Sequence, residues 1–250
     1  MKIIIHGAAG HMGRMVEETA RRGFAGAEIT ALVDPCAPAG GDAACYAAPE
    51  DYTGPADAVV DFSNHAATKT LLDYCAARAL PVVIGTTGQT AEELALISAA
   101  AEKIPVFRSG NMSVGVAVLA DLARRAAAAF PEADIEIVET HHNRKLDVPS
   151  GTALLLADAV REARPDATLL IGRHENGKRT AREIGVHSIR LGSEVGTHEI
   201  YISTGSETLT LKHKAENRAL FAEGALTAAA FLTGKPAGLY TMKDMIGDGE

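Results

Sequence analysis

The sequence predicts an α/β chain in two parts: a parallel-sheet nucleotide domain first, then an α+β domain carrying a mixed open sheet. Three observations carry this. Short apolar runs alternate with helical patterns up to Ser113. Gly7, Gly10 and Gly13 follow the first of those runs and open the first helical pattern. After Ser113 the rhythm changes, and several strand-like runs arrive with no helix between them.

Taken in order, "KIIIHG" reads as a buried strand and "HMGRMVEETARR" as a helix with Met12, Met15, Val16 and Thr19 on one side. "EITALVD" and "DAVVDFS" read as the second and third strands, with a helix following over His65 to Arg78. "PVVIGTT" is a fourth strand with a helix over Ala91 to Lys103, and "IPVFRS" is a fifth. Strands that are apolar throughout, separated by helices, imply a parallel sheet covered on both faces. The second part starts with a helix over Val114 to Phe130, the strand "ADIEIVET" and a helix over Gly151 to Arg164. Then come "ATLLIGR", "EIGVHSIRL", "THEIYIST" and "ETLTLKHK", whose polar–apolar alternation around Leu209 and Leu211 suits a sheet with two unlike faces. An Ala-rich helix over Asn217 to Thr233 closes the pattern.

The bulk numbers exclude several classes. With 250 residues, a sizeable core fits in one large domain or two modest ones. The net charge of -8, with 4% aromatics and no Trp, offers nucleic acid neither a basic surface nor a stacking platform. No run approaches the length of a membrane span. The opening "MKIIIHGAAG" has too short an apolar run for a signal peptide and no cleavage site, so the expected location is the cytoplasm. Cys36, Cys45 and Cys75 are an odd number at no metal-like spacing and read as thiols in a reducing compartment.

The G-x-x-G-x-x-G loop lies between a strand and a helix, where glycines let the backbone approach a pyrophosphate seated on the helix N-terminus. Asp34 ends the second strand, where a carboxylate grips a ribose hydroxyl. This context makes the first domain Rossmann-type. Pro35 follows Asp34 where a basic residue would accept a 2′-phosphate, which favours NADH; Arg14 is close in sequence, so dual use with NADPH stays open. Two glycine-containing loops, Gly85 to Gly88 and Ser109 to Gly115, fall at the carboxyl ends of the fourth and fifth strands, where such sheets bind ligands.

The stretch "ETHHNRKLDVPSGTA", Glu139 to Ala153, sets donors against the acidic background. A metal site is a poor fit, because His141 and His142 are adjacent and Arg144 and Lys145 repel a cation. A small anion fits better. Ser150 is a good N-cap, and Gly151 and Thr152 present N–H groups in a first helical turn. Cationic side chains and that turn converge on one anion, with Glu139 and Asp147 restraining the cations. A dinucleotide domain beside such a site implies hydride transfer, with a histidine or lysine supplying a proton.

Together "GAAGHMG", "GTTG", "GNMSVGV", "ETHHNRKLDVPSGTA", "EVGTHEIYI", "HKAENRALFAEGA" and "GLYTMKDMIG" resemble the bacterial dihydrodipicolinate reductase family over essentially the whole chain. The resemblance implies NAD(P)H-dependent reduction of 4-hydroxy-tetrahydrodipicolinate, a small cyclic dicarboxylate, to tetrahydrodipicolinate with loss of water, in lysine and diaminopimelate biosynthesis. It implies catalytic roles for His141, the proton donor, and Lys145, a second donor and carboxylate ligand. It implies substrate contacts for His142, Ser150, Gly151 and Thr152. It places cofactor contacts on Gly7, Ala8, Ala9, Gly10, His11, Met12 and Gly13, on Asp34, on Gly85, Thr86 and Thr87, and on Ser109, Gly110, Asn111 and Met112. It further implies that the last helix and tail rejoin the nucleotide domain, giving residues 1–112 plus 219–250 for cofactor and 113–218 for substrate and oligomer contacts, and that second-domain sheets associate into a homotetramer. Two departures stand out: Pro35 in place of a basic residue, and His11 where many members have arginine. Competing readings are an amino-acid or sugar dehydrogenase of the same two-domain plan, which need not carry the "HHNRK" donors, and a redox-sensing NAD(H)-binding protein, which should couple to DNA or a partner, whereas this acidic chain lacks a basic recognition helix.

Overall fold

A computed structural model describes residues 1–36 and 44–247. Residues 37–43 and 248–250, which fall within the span expected for the nucleotide domain, lie outside the described residues. The chain divides into two compact units: Met1–Ser113 with Ala219–Glu250, and Val114–Arg218.

The first unit begins with β1 (Lys2–His6), α1 (His11–Arg21), β2 (Glu28–Val33), β3 (Cys45–Tyr46), β4 (Ala58–Asp61), α2 (Thr68–Ala77), β5 (Val82–Ile84), α3 (Ala91–Ala101) and β6 (Pro105–Arg108). Ile3, Ile4 and Ile5 are all buried, as are Val59, Val60, Val82 and Val83, so both faces of these strands are covered. Helix α3 starts sharply because Thr90 and Glu93 form a reciprocal cap: the Glu93 N–H donates to Thr90 Oγ1, and the Thr90 N–H donates to Glu93. On α1 the buried residues are Gly13, Val16, Thr19 and Ala20, while Met12 and Met15 are only half-buried. The helix turns its smallest residue to the closest packing: a Cβ at Gly13 would sit 2.1 Å from the Gly7 carbonyl oxygen.

The second unit contains α4 (Val114–Ala129), β7 (Asp134–His141), α5 (Gly151–Ala163), β8 (Thr168–Ile171), β9 (Glu183–Arg190), β10 (Gly196–Ser203) and β11 (Thr208–Ala215). Its sheet runs β11-β10-β7-β9-β8. β9 pairs in parallel with β7 and β8, whereas β10 pairs antiparallel with β7 and β11, so the sheet is mixed. Residues alternate strictly between its faces. Ile135, Ile137, Ile184, Val186, Ile200 and Ile202 form one core with Leu119 and Ala123 of α4 and Leu156 and Val160 of α5. β11 is an edge strand; Leu211 packs against that core, while Leu209 stays 39% exposed.

The chain then adds α6 (Ala219–Leu232), β12 (Gly238–Tyr240) and α7 (Met242–Ile246) to the first unit. α6 is apolar apart from Glu223 and Thr227 and packs against α1, β4, β5 and β6. Its closest approach is at Gly224, where a Cβ would lie 1.7 Å from the Met112 carbonyl oxygen. β12 pairs in parallel with β6, which completes a seven-stranded sheet of order β12-β6-β5-β4-β1-β2-β3, parallel throughout. From β3 to β6 this is the doubly wound order, and the strand order reverses between β1 and β4. The edge strands β3 and β12 are too short to show a period-two pattern in the sequence.

Candidate active site

In the first unit three of the expected nucleotide residues, Gly7, Gly10 and Asp34, line one cavity beside the carboxyl ends of β1 and β4, the switch point of the sheet. His6, Gly7, Gly10, Asp34, Phe62 and Ser63 help to line a cavity of about 430 Å³. Gly7 has φ +81° and would place a Cβ 2.4 Å from the Phe62 carbonyl oxygen, so only glycine fits there. Helix α1 opens after Gly10 with no side-chain cap and no acidic residue in its first turn, an N-terminus suited to a phosphate group. Asp34 is held by two backbone donors, Ala9 N–H at 3.1 Å and Cys36 N–H at 2.8 Å. A carboxylate accepts about four hydrogen bonds, so capacity remains for ribose hydroxyls. These residues fit a dinucleotide.

The other expected cofactor positions differ in placement. Thr86 is buried and donates to Asp61 at 2.7 Å. Gly85 packs under the Phe62 ring, which a Cβ would meet at 2.4 Å. The loop from Ser109 to Met112 does not line the cavity. It is tied to itself, Ser109 Oγ donating to the Asn111 carbonyl, and the Met112 side chain is buried.

In the second unit the site is built around Glu139, which is completely buried on the inner face of β7. Arg190, at the end of β9, donates to both of its oxygens at 2.8 and 2.9 Å. The Ser150 N–H donates to Oε1 at 3.1 Å, and His141 Nδ1 lies 2.5 Å from Oε2. Burial pushes the Glu139 carboxyl up, but hydrogen bonds from Arg190 and His141 prevail and hold it at about 2. An ionised carboxylate only accepts, so His141 carries a proton on Nδ1 and turns Nε2 to its other side. That side lies over Gly196 of β10, where a Cβ would come 3.0 Å from Nε2.

Ser150 caps α5 by accepting from the Ala153 N–H at 3.1 Å. The Val148–Pro149 bond just before it is cis. The start of α5 points N–H groups of Gly151 and Thr152 outward from the first turn. Lys145 Nζ pairs with Asp147 at 2.9 Å and so holds the Asp147 carboxyl below the usual range. Burial and the surrounding cations Arg144, Arg218, His141 and Lys145 lower the pKa of His142. Glu139 and Asp147 therefore do restrain neighbouring cationic groups.

Two residues of this cluster escaped the sequence reading. Arg190 clamps Glu139 and also donates to the Asp147 carbonyl at 2.7 Å. His198 lies edge-on to His141, with ring centroids 5.2 Å apart, and its Nε2 is 3.3 Å from Ser150 Oγ. A signal was present for both. Arg190 shares strand parity with Ile184 and Val186, and His198 with Ile200 and Ile202, so each is a polar residue on an apolar face.

The family model "Dihydrodipicolinate reductase, N-terminus" matches residues 1–112, and "Dihydrodipicolinate reductase, C-terminus" matches residues 115–246. The chain is 42% identical to a 4-hydroxy-tetrahydrodipicolinate reductase of Caldanaerobacter subterraneus subsp. tengcongensis, covering 100% of this chain and 99% of that protein. It is 41% identical to that of Clostridium tetani, over 98% of this chain and 97% of the relative. Among solved structures it resembles dipicolinate-bound dihydrodipicolinate reductase from Paenisporosarcina sp. TG-14, with a TM-score of 0.84 at 28% identity over 98% of this chain and 99% of that one.

The buried imidazole of His198 sets a pH dependence. Burial, then the nearby His141 charge, push it down from 6.5 to about 4. Between those values the unfolded chain takes up a proton that the folded chain refuses, so stability falls as pH drops through the window. The loss amounts to about 3 kcal/mol. Urea unfolding from pH 7 to 4.5 is expected to show this decline, and His198→Gln is expected to flatten it. An identical pH slope in the two proteins would contradict the assignment.

Proposed function

The chain belongs to the dihydrodipicolinate reductase family, which reduces 4-hydroxy-tetrahydrodipicolinate to tetrahydrodipicolinate with NAD(P)H, and from the site geometry we propose which of its residues carry that reaction. Each turnover consumes one hydride and one proton and releases one water. The bound reduced nicotinamide supplies the hydride. In its doubly protonated form His141 supplies the proton from Nε2, because Glu139 occupies its Nδ1, and it regains that proton from solvent before the next turnover. His142 orients the ring through hydrogen bonds. Lys145 and the N–H groups of Gly151 and Thr152 hold one substrate carboxylate, and Ser150 fixes the helix start that presents them. The observation that carries this reading is the Glu139–His141 contact beside the Ser150 cap, which aims a proton donor and an anion-binding turn from the same short segment. The dipicolinate bound by the Paenisporosarcina relative is a planar dicarboxylate of the kind such a turn accepts.

The cofactor residues in this proposal are those of the first unit: Gly7 to Gly13, Asp34, Gly85 to Thr87 and Ser109 to Met112. NADH is favoured or shared with NADPH, since Asp34 is fixed in place by two N–H donors and Pro35 brings no cation. The first unit is the nucleotide domain and the second the substrate and oligomer domain. The assembly proposed is a homotetramer formed on the face of the second sheet away from α4 and α5. Val138, Ile189 and Tyr201 lie on that face among ion pairs such as Glu199–Lys212. The three free cysteines suit the cytoplasm, and no helix of the described residues is long and apolar enough to cross a membrane.

The test is a coupled assay. NADH should be oxidised only when aspartate semialdehyde, pyruvate and the synthase that condenses them are supplied together. No oxidation under those conditions would refute the reading. In the same assay kcat/KM for NADH is expected to equal or exceed that for NADPH, and a strong preference for NADPH would overturn the role given to Asp34. His141→Gln is expected to lower kcat by about 10² to 10⁴ with little change in KM. A raised KM with unchanged kcat would make His141 a binding residue instead.

A further inference from the structure

Asp61 ends β4 at the switch point of the first sheet and is 3% exposed. Its Oδ1 lies 2.8 Å from His6 Nδ1 and accepts from the Ser63 N–H at 3.1 Å and Ser63 Oγ at 2.6 Å. Its Oδ2 accepts from Thr86 Oγ1 at 2.7 Å. His6, Ser63 and Thr86 thus engage both oxygens with four contacts, three on Oδ1 and one on Oδ2, and burial keeps the carboxylate away from a ligand. Its partners, however, all belong to cofactor-facing segments. His6 precedes the glycine loop and lines the cavity with Ser63, and Thr86 belongs to the loop after β5. The next residue, Phe62, places its carbonyl under Gly7 and its ring under Gly85.

Asp61 pairs with His6 on β1 and Ile84 on β5, and the positions before these on β1, β4 and β5 are apolar and buried, so a carboxylate is not needed to fill the sheet. Burying a carboxylate carries a desolvation cost that packing alone would avoid. We propose that Asp61 is a positioning residue that fixes the glycine loop, Ser63 and Thr86 in one geometry and thereby sets the affinity for the pyridine nucleotide without touching it. The inference rests on the reading of the first unit as the nucleotide site. It makes Thr86 effective only while Asp61 orients its hydroxyl.

The experiment is a titration of the full chain with NADH, followed by nucleotide fluorescence, for wild type, Asp61→Asn, Thr86→Val, Thr86→Ser and the double variant D61N/T86V. A hydrogen bond to a charged group is worth about tenfold or more in affinity, so T86V and D61N are each expected to raise Kd by at least that factor. T86S keeps the hydroxyl and is expected to bind as wild type does. The double variant is expected to bind no worse than D61N alone, because the two substitutions break the same linkage. A wild-type Kd in folded D61N overturns the proposal, and so do losses that multiply in the double variant. If D61N does not fold, T86V and Ser63→Ala carry the test: wild-type affinity in both overturns it, and weakened binding in T86V with rescue in T86S supports it. Failure of the wild-type chain to bind NADH would instead overturn the nucleotide reading on which the proposal rests.

Discussion

The candidate active site depends on a carboxylate that water cannot reach. Glu139 is fully buried, yet hydrogen bonds from Arg190 and His141 keep it ionised. A buried charge is tolerated only when its lone pairs are satisfied, and removing a partner leaves a costly orphan. That requirement explains features that look unrelated in the chain. The end of β9 supplies Arg190, the end of β7 supplies His141, and the turn before α5 supplies the Ser150 N–H, because each is a donor to one group. The geometry that satisfies Glu139 also fixes which nitrogen of His141 faces outward and where α5 begins.

Asp61 meets the same constraint in the first unit, and the contrast is instructive. Glu139 takes its donors from a guanidinium, an imidazole and an amide, so it sits among groups that stay positive or polar toward an anion. Asp61 takes its donors from hydroxyls, an amide and an imidazole on three strand ends. In both cases the carboxylate is spent on organising neighbours. The groups proposed to face the ligand are backbone N–H groups, hydroxyls and an imidazole nitrogen, which suits phosphates and carboxylates in a chain whose net charge is -8.

Much of this was legible in the sequence, for identifiable reasons. The glycine loop and Asp34 are local signals, a few residues that must sit between a strand and a helix. The Glu139 to Ala153 stretch is likewise contiguous, so its donors are seen together before any fold is known. Arg190, His198 and Asp61 are different, because each acts on a partner 25 or more residues away in the chain. They show in the sequence only as polar residues where strand parity or strand continuity calls for an apolar one. Periodicity puts Met12 and Met15 on one side of α1 with Val16 and Thr19, but both stay half-buried, because the closest packing of α1 goes to Gly13, where the loop backbone leaves no room for a side chain. The edge strands β3 and β12 carry no pattern of their own and form because a paired edge is waiting for them.

The central claim is that Glu139 holds the proton on His141 Nδ1 and leaves Nε2 as the nitrogen that serves the substrate. Nitrogen-15 NMR of the histidine-labelled full chain at neutral pH reads this directly. His141 is expected to show a protonated Nδ1 with a strongly hydrogen-bonded proton, and this signature is expected to be lost in Glu139→Gln. An unprotonated Nδ1 in the wild-type protein, or a signature unchanged by the substitution, would contradict it.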